Sequence, residues 1–254
     1  MSNPGPSDVT TGAVYKYDAK AKRFSNITPK KPDDKEKFGY GGLAVDWQKP
    51  GTVLVTTIDR WGPGDEAFRT TNGGAVWKPL WEKAEFSAGG AQYLYYGKEK
   101  LGKPHWTGDV DIDPFDSNHA TVVGGTGIWG TSELTLADSG KPTRWDFRNR
   151  GLEETVVIDL VSPPKGAKLL SGVGDICGFR HDDLDKPSPA GSFQNPPCKT
   201  TKSLDVAAGN PDVDVRVGDV WEGAAHGAYS TDGGTTWVPF KSEPKNAGKG
   251  GEVA

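Results

Sequence analysis

The chain has 254 residues, 34% of them hydrophobic, with 35 Gly, 19 Pro and 9 Trp. That is enough chain for a substantial core, and the Gly and Pro punctuation fits many short strands joined by turns. A net charge of -4 and a pI near 5.6 give no electrostatic case for nucleic acid or an acidic membrane surface, and no stretch reaches the apolar length of a membrane span.

The opening run Met1-Ser2-Asn3-Pro4-Gly5-Pro6-Ser7 lacks the basic and apolar regions of a secretion signal. No helix-period apolar stretch of convincing length follows. Instead, four segments read as apolar strand, polar turn, apolar strand: residues 43–46 with 53–55, 110–113 with 121–123, 157–160 with 169–170, and 204–206 with 213–215. Their turns, such as Gln48-Lys49-Pro50-Gly51 and Gly209-Asn210-Pro211-Asp212, carry the residues that reverse a chain. The starts lie about 67, 47 and 47 residues apart, near the roughly 40–50 of a propeller blade. A generic β-sandwich is the competing architecture.

Two further hairpins share a formula. The run Ser230-Thr231-Asp232-Gly233-Gly234-Thr235-Thr236-Trp237 is an "Asp box", and Thr70-Thr71-Asn72-Gly73-Gly74-Ala75-Val76-Trp77 is its degenerate twin. The Asp or Asn can accept hydrogen bonds from its own turn, and the glycines can take the positive φ a tight hairpin needs. Trp77 and Trp237 are then structural residues. The repeated units predict an all-β chain of β-propeller blades, each inner hairpin joined by an outer pair, with Asp-box hairpins as outer pairs. Asp109, Asp111 and Asp113 alternate with Val110 and Ile112, which predicts solvated positions on one strand face. Residues His181, Asp182, Asp183 and Asp185 alternate faces, which argues against a metal site there.

Three segments together resemble glycoside hydrolase family 74, the xyloglucanases and oligoxyloglucan reducing-end-specific cellobiohydrolases. They are residues 106–119, beginning Trp106-Thr107-Gly108-Asp109, the run Gly125-Thr126-Gly127-Ile128-Trp129-Gly130-Thr131, and residues 162–184 with Gly174-Asp175-Ile176-Cys177-Gly178-Phe179 at their centre. The resemblance implies partial tandem seven-bladed propellers, with residues 1–150 as the last blades of the first and 151–254 as the first blades of the second. The chain would then begin and end inside a propeller. It further implies an inverting hydrolase acting on the β-1,4-glucan backbone of xyloglucan, secreted as the full-length family protein. A monomer without cofactor or metal is expected.

In the family motif the general acid corresponds to Asp175. Partial desolvation by Phe179 would raise its pKa, and a neighbouring His181 would tune it or bind sugar. The family's general base lies in an Asp-Ile-Gly-Gly-Ala-Tyr segment that this sequence lacks, so the chain alone is expected to hydrolyse xyloglucan poorly. Sugar stacking is expected from Trp129, Trp106, Trp61 and Tyr95, at or near loops and strand ends. The run Ser87-Ala88-Gly89-Gly90-Ala91-Gln92-Tyr93-Leu94-Tyr95-Tyr96 departs from the family pattern, which leaves the glycan and endo or exo action open. Cys177 stands where the family has Gly, and Cys198 lies 21 residues on. They form either a disulfide, worth roughly 3 kcal/mol by chain entropy, or two buried thiols. A non-catalytic Asp-box propeller binding carbohydrate or a protein partner is the alternative function.

Overall fold

The computed structural model describes residues 7–95, 101–150, 152, 155–221, 224–245, 248 and 251–254. Residues 1–6, which carry most of the reading of the N-terminus, and Tyr96 lie outside that set. The chain divides into two compact units, one of Met1–Gly89 with Gly102–Glu153 and one of Gly90–Leu101 with Glu154–Ala254. The segment 90–101 groups with the second unit.

The first unit opens with a hairpin of β1 (Tyr15–Asp18) and β2 (Arg23–Asn26). Its turn forms because Asp18 accepts the backbone N–H groups of Lys20 and Ala21 at 2.9 and 2.8 Å. Strands β3 (Gly39–Val45), β4 (Val53–Ile58), β5 (Ala67–Thr70) and β6 (Lys78–Pro79) follow as an antiparallel meander. A five-stranded sheet comes next, from β7 (Glu85–Ser87), β8 (Asp109–Ile112), β9 (Ala120–Gly124), β10 (Gly127–Thr131) and β11 (Arg144–Phe147). Its order is β7-β11-β10-β9-β8, with β7 parallel to β11. That parallel edge strand was not legible in the sequence. In β8, Val110 and Ile112 are buried and Asp109 and Asp111 exposed, as period-two alternation requires. A Cβ on Gly42 would come 2.5 Å from the Val110 nitrogen, so only glycine lets β3 approach β8 this closely.

The second unit holds a 3-10 turn, Gln92–Tyr95, and two sheets. Strands β12 (Val157–Val161), β13 (Leu169–Val173) and β14 (Gly178–His181) form one. Strands β15 (Cys198–Val206), β16 (Asp214–Val220), β17 (Gly227–Ser230) and β18 (Val238–Pro239) form the other, again in sequential order. All four hairpins read from the sequence are antiparallel pairs: β3 with β4, β8 with β9, β12 with β13, and β15 with β16. Both Asp boxes join the outer strands of a four-stranded sheet.

The box chemistry is the same twice. Ser230 Oγ accepts the Gly234 N–H at 2.9 Å, and Asp232 accepts Thr236 through both backbone and hydroxyl, at 2.8 and 2.6 Å. In the twin, Thr70 Oγ1 accepts Gly74 N–H and Asn72 accepts Val76 N–H. Positive φ falls on Gly73, Gly74, Gly233 and Gly234, where a side chain would be strained. Trp237 is buried, 5.0 Å from the Phe193 ring, and Trp77 donates its indole N–H to the Ile27 carbonyl. Both tryptophans are structural.

Asp214, at the start of β16, is 1% exposed, and its carboxyl group is poorly satisfied, with Ser230 as its hydrogen-bonding neighbour. Burial pushes its pKa up to about 6; Arg180 opposes the rise, while Asp232 and Asp212 add to it. The unfolded chain loses this proton first, so stability falls as pH rises from 3.8 towards about 6 and stays lower above that. Asp214→Asn should therefore exceed the parent in stability at pH 7.5 by about 1–3 kcal/mol and match it at pH 3.5. Urea unfolding at the two pH values checks this, and an equal difference at both would exclude the buried carboxylate as its cause.

Candidate functional site

The sequence places Asp175 at the turn from β13 to β14, and the structure makes that turn unusual. Gly174 N–H donates to the Val156 carbonyl at 2.8 Å and Val173 N–H to the Cys177 carbonyl at 3.0 Å. Asp175 then takes φ 65 and Cys177 φ 71, two left-handed non-glycine residues in one turn. The Asp175 N–H donates to Thr200 Oγ1 at 3.2 Å and the Cys177 N–H to the Lys199 carbonyl at 2.9 Å, fastening the turn to β15. Ile176 is buried below, and the Asp175 carboxyl group is exposed at the sheet end. The desolvation expected from Phe179 is thus corrected: this turn projects the carboxyl group outward.

Cys177 and Cys198 form a disulfide, with Cα atoms 5.1 Å apart. Arg216, 2% exposed, sits against it and donates to both sulfurs and to the carbonyls of Gln194 and Pro196. Its guanidinium lies 5.0 Å from the Trp237 ring. Burial lowers the Arg216 pKa to about 10, which still leaves it charged at neutral pH.

His181 does not neighbour Asp175. It pairs with Leu169 at the far end of β14, three positions from Gly178 at the strand's start, or roughly 10 Å at ~3.3 Å per residue. There its Nε2 lies 2.9 Å from Ser171 Oγ, and burial lowers its pKa, which favours the neutral ring. Trp129 is corrected as well. It is 1% exposed, edge-on to Phe147 at 5.1 Å and to Phe86 at 5.8 Å. Its position in β10 points it into the core with Trp81 and Trp145, so no face is open to a sugar. Tyr95 ends the 3-10 turn, half-buried.

Trp61 and Trp106 lie nearer the surface. Trp61, in the loop after β4, is 67% exposed; its indole N–H donates to Asp59 Oδ1 at 2.6 Å and its ring lies 5.6 Å from that of His105. Trp106 is half-buried at φ 54. Asp65, 1% exposed, joins the two segments by accepting the N–H groups of Arg60 at 3.2 Å and Thr107 at 3.1 Å, the Thr57 hydroxyl at 2.8 Å, and the Trp106 N–H. Burial raises the Asp65 pKa against these bonds. Asp59 and Asp65 escaped the sequence reading, and His105 reads there only as a scattered histidine, although Asp59-Arg60-Trp61-Gly62-Pro63-Gly64-Asp65 is visibly a Gly/Pro loop flanked by acids. Trp221 escaped it too: it is 42% exposed at the end of β16, with Lys199 Nζ 4.7 Å over its ring.

No protein-family model matches the chain. It is 41% identical to a xyloglucanase of Paenibacillus sp over 270 aligned residues, covering 98% of this chain and 26% of that protein. The crystal structure of the GH74 xyloglucanase from Xanthomonas campestris superposes with a TM-score of 0.87 at 41% identity, over 98% of this chain and 35% of that one. The GH74 enzyme of Niastella koreensis superposes with a TM-score of 0.76 at 30% identity, over 98% and 34%. The chain thus spans about a quarter to a third of the proteins it matches, 26% to 35% in these cases.

Proposed function

We propose that this chain, a homologue of one segment of the glycoside hydrolase family 74 β-propeller enzymes, supplies the general acid and part of the glycan-binding surface of an inverting xyloglucan hydrolase. The observation that carries the proposal is the Asp175 turn: an exposed carboxyl group at a sheet end, held in a conformation that non-glycine residues rarely adopt. In an inverting cleavage this group gives its proton to the glycosidic oxygen, while a second carboxylate roughly 6.5–9.5 Å away deprotonates the attacking water. No residue here matches the family's base segment, so the chain by itself is expected to turn over xyloglucan poorly. Residues 1–150 would then contribute the last blades of a first propeller and 151–254 the opening blades of a second.

Trp61 is the proposed stacking residue, because Asp59 fixes its indole edge and most of the ring is open to solvent. Trp61→Ala should weaken binding of a xyloglucan oligosaccharide roughly tenfold, the order of one large aromatic contact, and leave the unfolding midpoint unchanged. Calorimetric titration of the chain with the oligosaccharide measures it. Unchanged affinity would remove Trp61 from the site. A second reading, a carbohydrate-binding propeller without catalysis, keeps Trp61 and drops Asp175; substitution of Asp175 separates the two.

A further inference from the structure

The two left-handed residues of the acid turn are not equally suited to it. Asp tolerates positive φ because its short polar side chain bonds locally, whereas Cys has no such compensation. Cys177 at φ 71 must therefore be held by something else. Its sulfur is bonded to Cys198 at the start of β15, the strand that also receives the Asp175 and Cys177 N–H groups. Arg216 Nη1 lies 3.4 Å from Cys177 Sγ and 3.1 Å from Cys198 Sγ. The guanidinium is itself fixed from below by the Trp237 ring and from the side by the Phe193 ring at 5.8 Å and the Pro196 carbonyl at 2.8 Å. A path of direct contacts thus runs from the Asp-box tryptophan through Arg216 and the disulfide to the residue two places after Asp175.

We infer that the Cys177–Cys198 disulfide, seated on Arg216, is the positioning element that imposes the left-handed turn and so aims the Asp175 carboxyl group. The inference rests on the reading of Asp175 as the acid. None of the three positioning residues is assigned contact with substrate; each acts through the turn.

The test compares the parent with C177S/C198S and C177G/C198S. Both double variants lose the cross-link and leave Arg216 a hydroxyl to donate to. They differ in whether residue 177 can take positive φ without cost. Amide exchange by NMR at residues 175, 177 and 178 should quicken roughly tenfold in C177S/C198S, the ratio that a left-handed penalty sets, and stay near the parent rate in C177G/C198S. Equal rates in the two variants would overturn the inference, because the disulfide would then act only on overall stability. If neither variant folds, the parent is treated with a dithiol reductant instead. Lost protection confined to residues 174–178 would support the inference, and unchanged protection would overturn it. Exchange reads the turn whatever Asp175 does. Rescue by glycine in exchange, with xyloglucan turnover in an active enzyme containing the sequence indifferent to all three forms, would keep the positioning and sink the acid.

Discussion

Asp175→Asn, made in an active enzyme containing this sequence, is expected to lower kcat on xyloglucan by about 10²–10⁴-fold, with KM nearly unchanged. Asn is the right replacement because it also tolerates positive φ. The residue takes φ 65, and its backbone N–H, not its side chain, makes the bond to Thr200. The turn should survive, and only the transferable proton is lost. The loss should be largest for the natural glucan, whose leaving sugar hydroxyl needs protonation. It should shrink on an aryl glycoside whose leaving group departs unaided. Steady-state rates on the two substrates measure the contrast. An equal loss on both would point to a disturbed cleft, and no loss on either would assign the proton to another residue.

The second large effect is on stability. Trp129→Ala should cost about 3–5 kcal/mol, the range for truncating a large aromatic in a packed core. Trp129 touches Phe86 and Phe147 at ring distances of 5.8 and 5.1 Å and is 1% exposed, so its removal leaves a cavity that the neighbouring sheet strands cannot collapse to fill. Denaturant unfolding of the variant checks this. A cleft residue would behave as Trp61→Ala is expected to, losing affinity with stability changed by no more than about 0.5 kcal/mol. The two tryptophans therefore form a matched pair, one buried and one presented, which the two measurements separate.

Much of the architecture was legible because its signals are local. Alternation in Asp109-Val110-Asp111-Ile112 dictates which face is buried whatever packs against it. The Asp boxes close on themselves: Ser230, Asp232, Gly234 and Thr236 satisfy one another within seven residues. The parallel pairing of β7 with β11 joins segments almost sixty residues apart in sequence, and no local pattern encodes it. The placement of the candidate residues was legible in part. Asp175 and Trp61 are exposed, as loop and strand-end positions suggest, while Trp129 was misplaced because Gly127-Ile128-Trp129-Gly130 looks like a loop and is a central strand. Asp65 was missed because its role is to accept hydrogen bonds from residues up to 42 positions away.

By itself, the sequence determined the all-β character, the four inner hairpins and both Asp boxes. Each depends on residues within a few positions of one another, where turn chemistry and period-two patterning act directly. Only the tertiary structure decided that Trp129 is core and Trp61 surface, that His181 stands away from Asp175, and that Cys177 pairs with Cys198 over Arg216. Burial and pairing are set by whichever distant strands fold against a residue, and that information is spread along the chain rather than held at any one position.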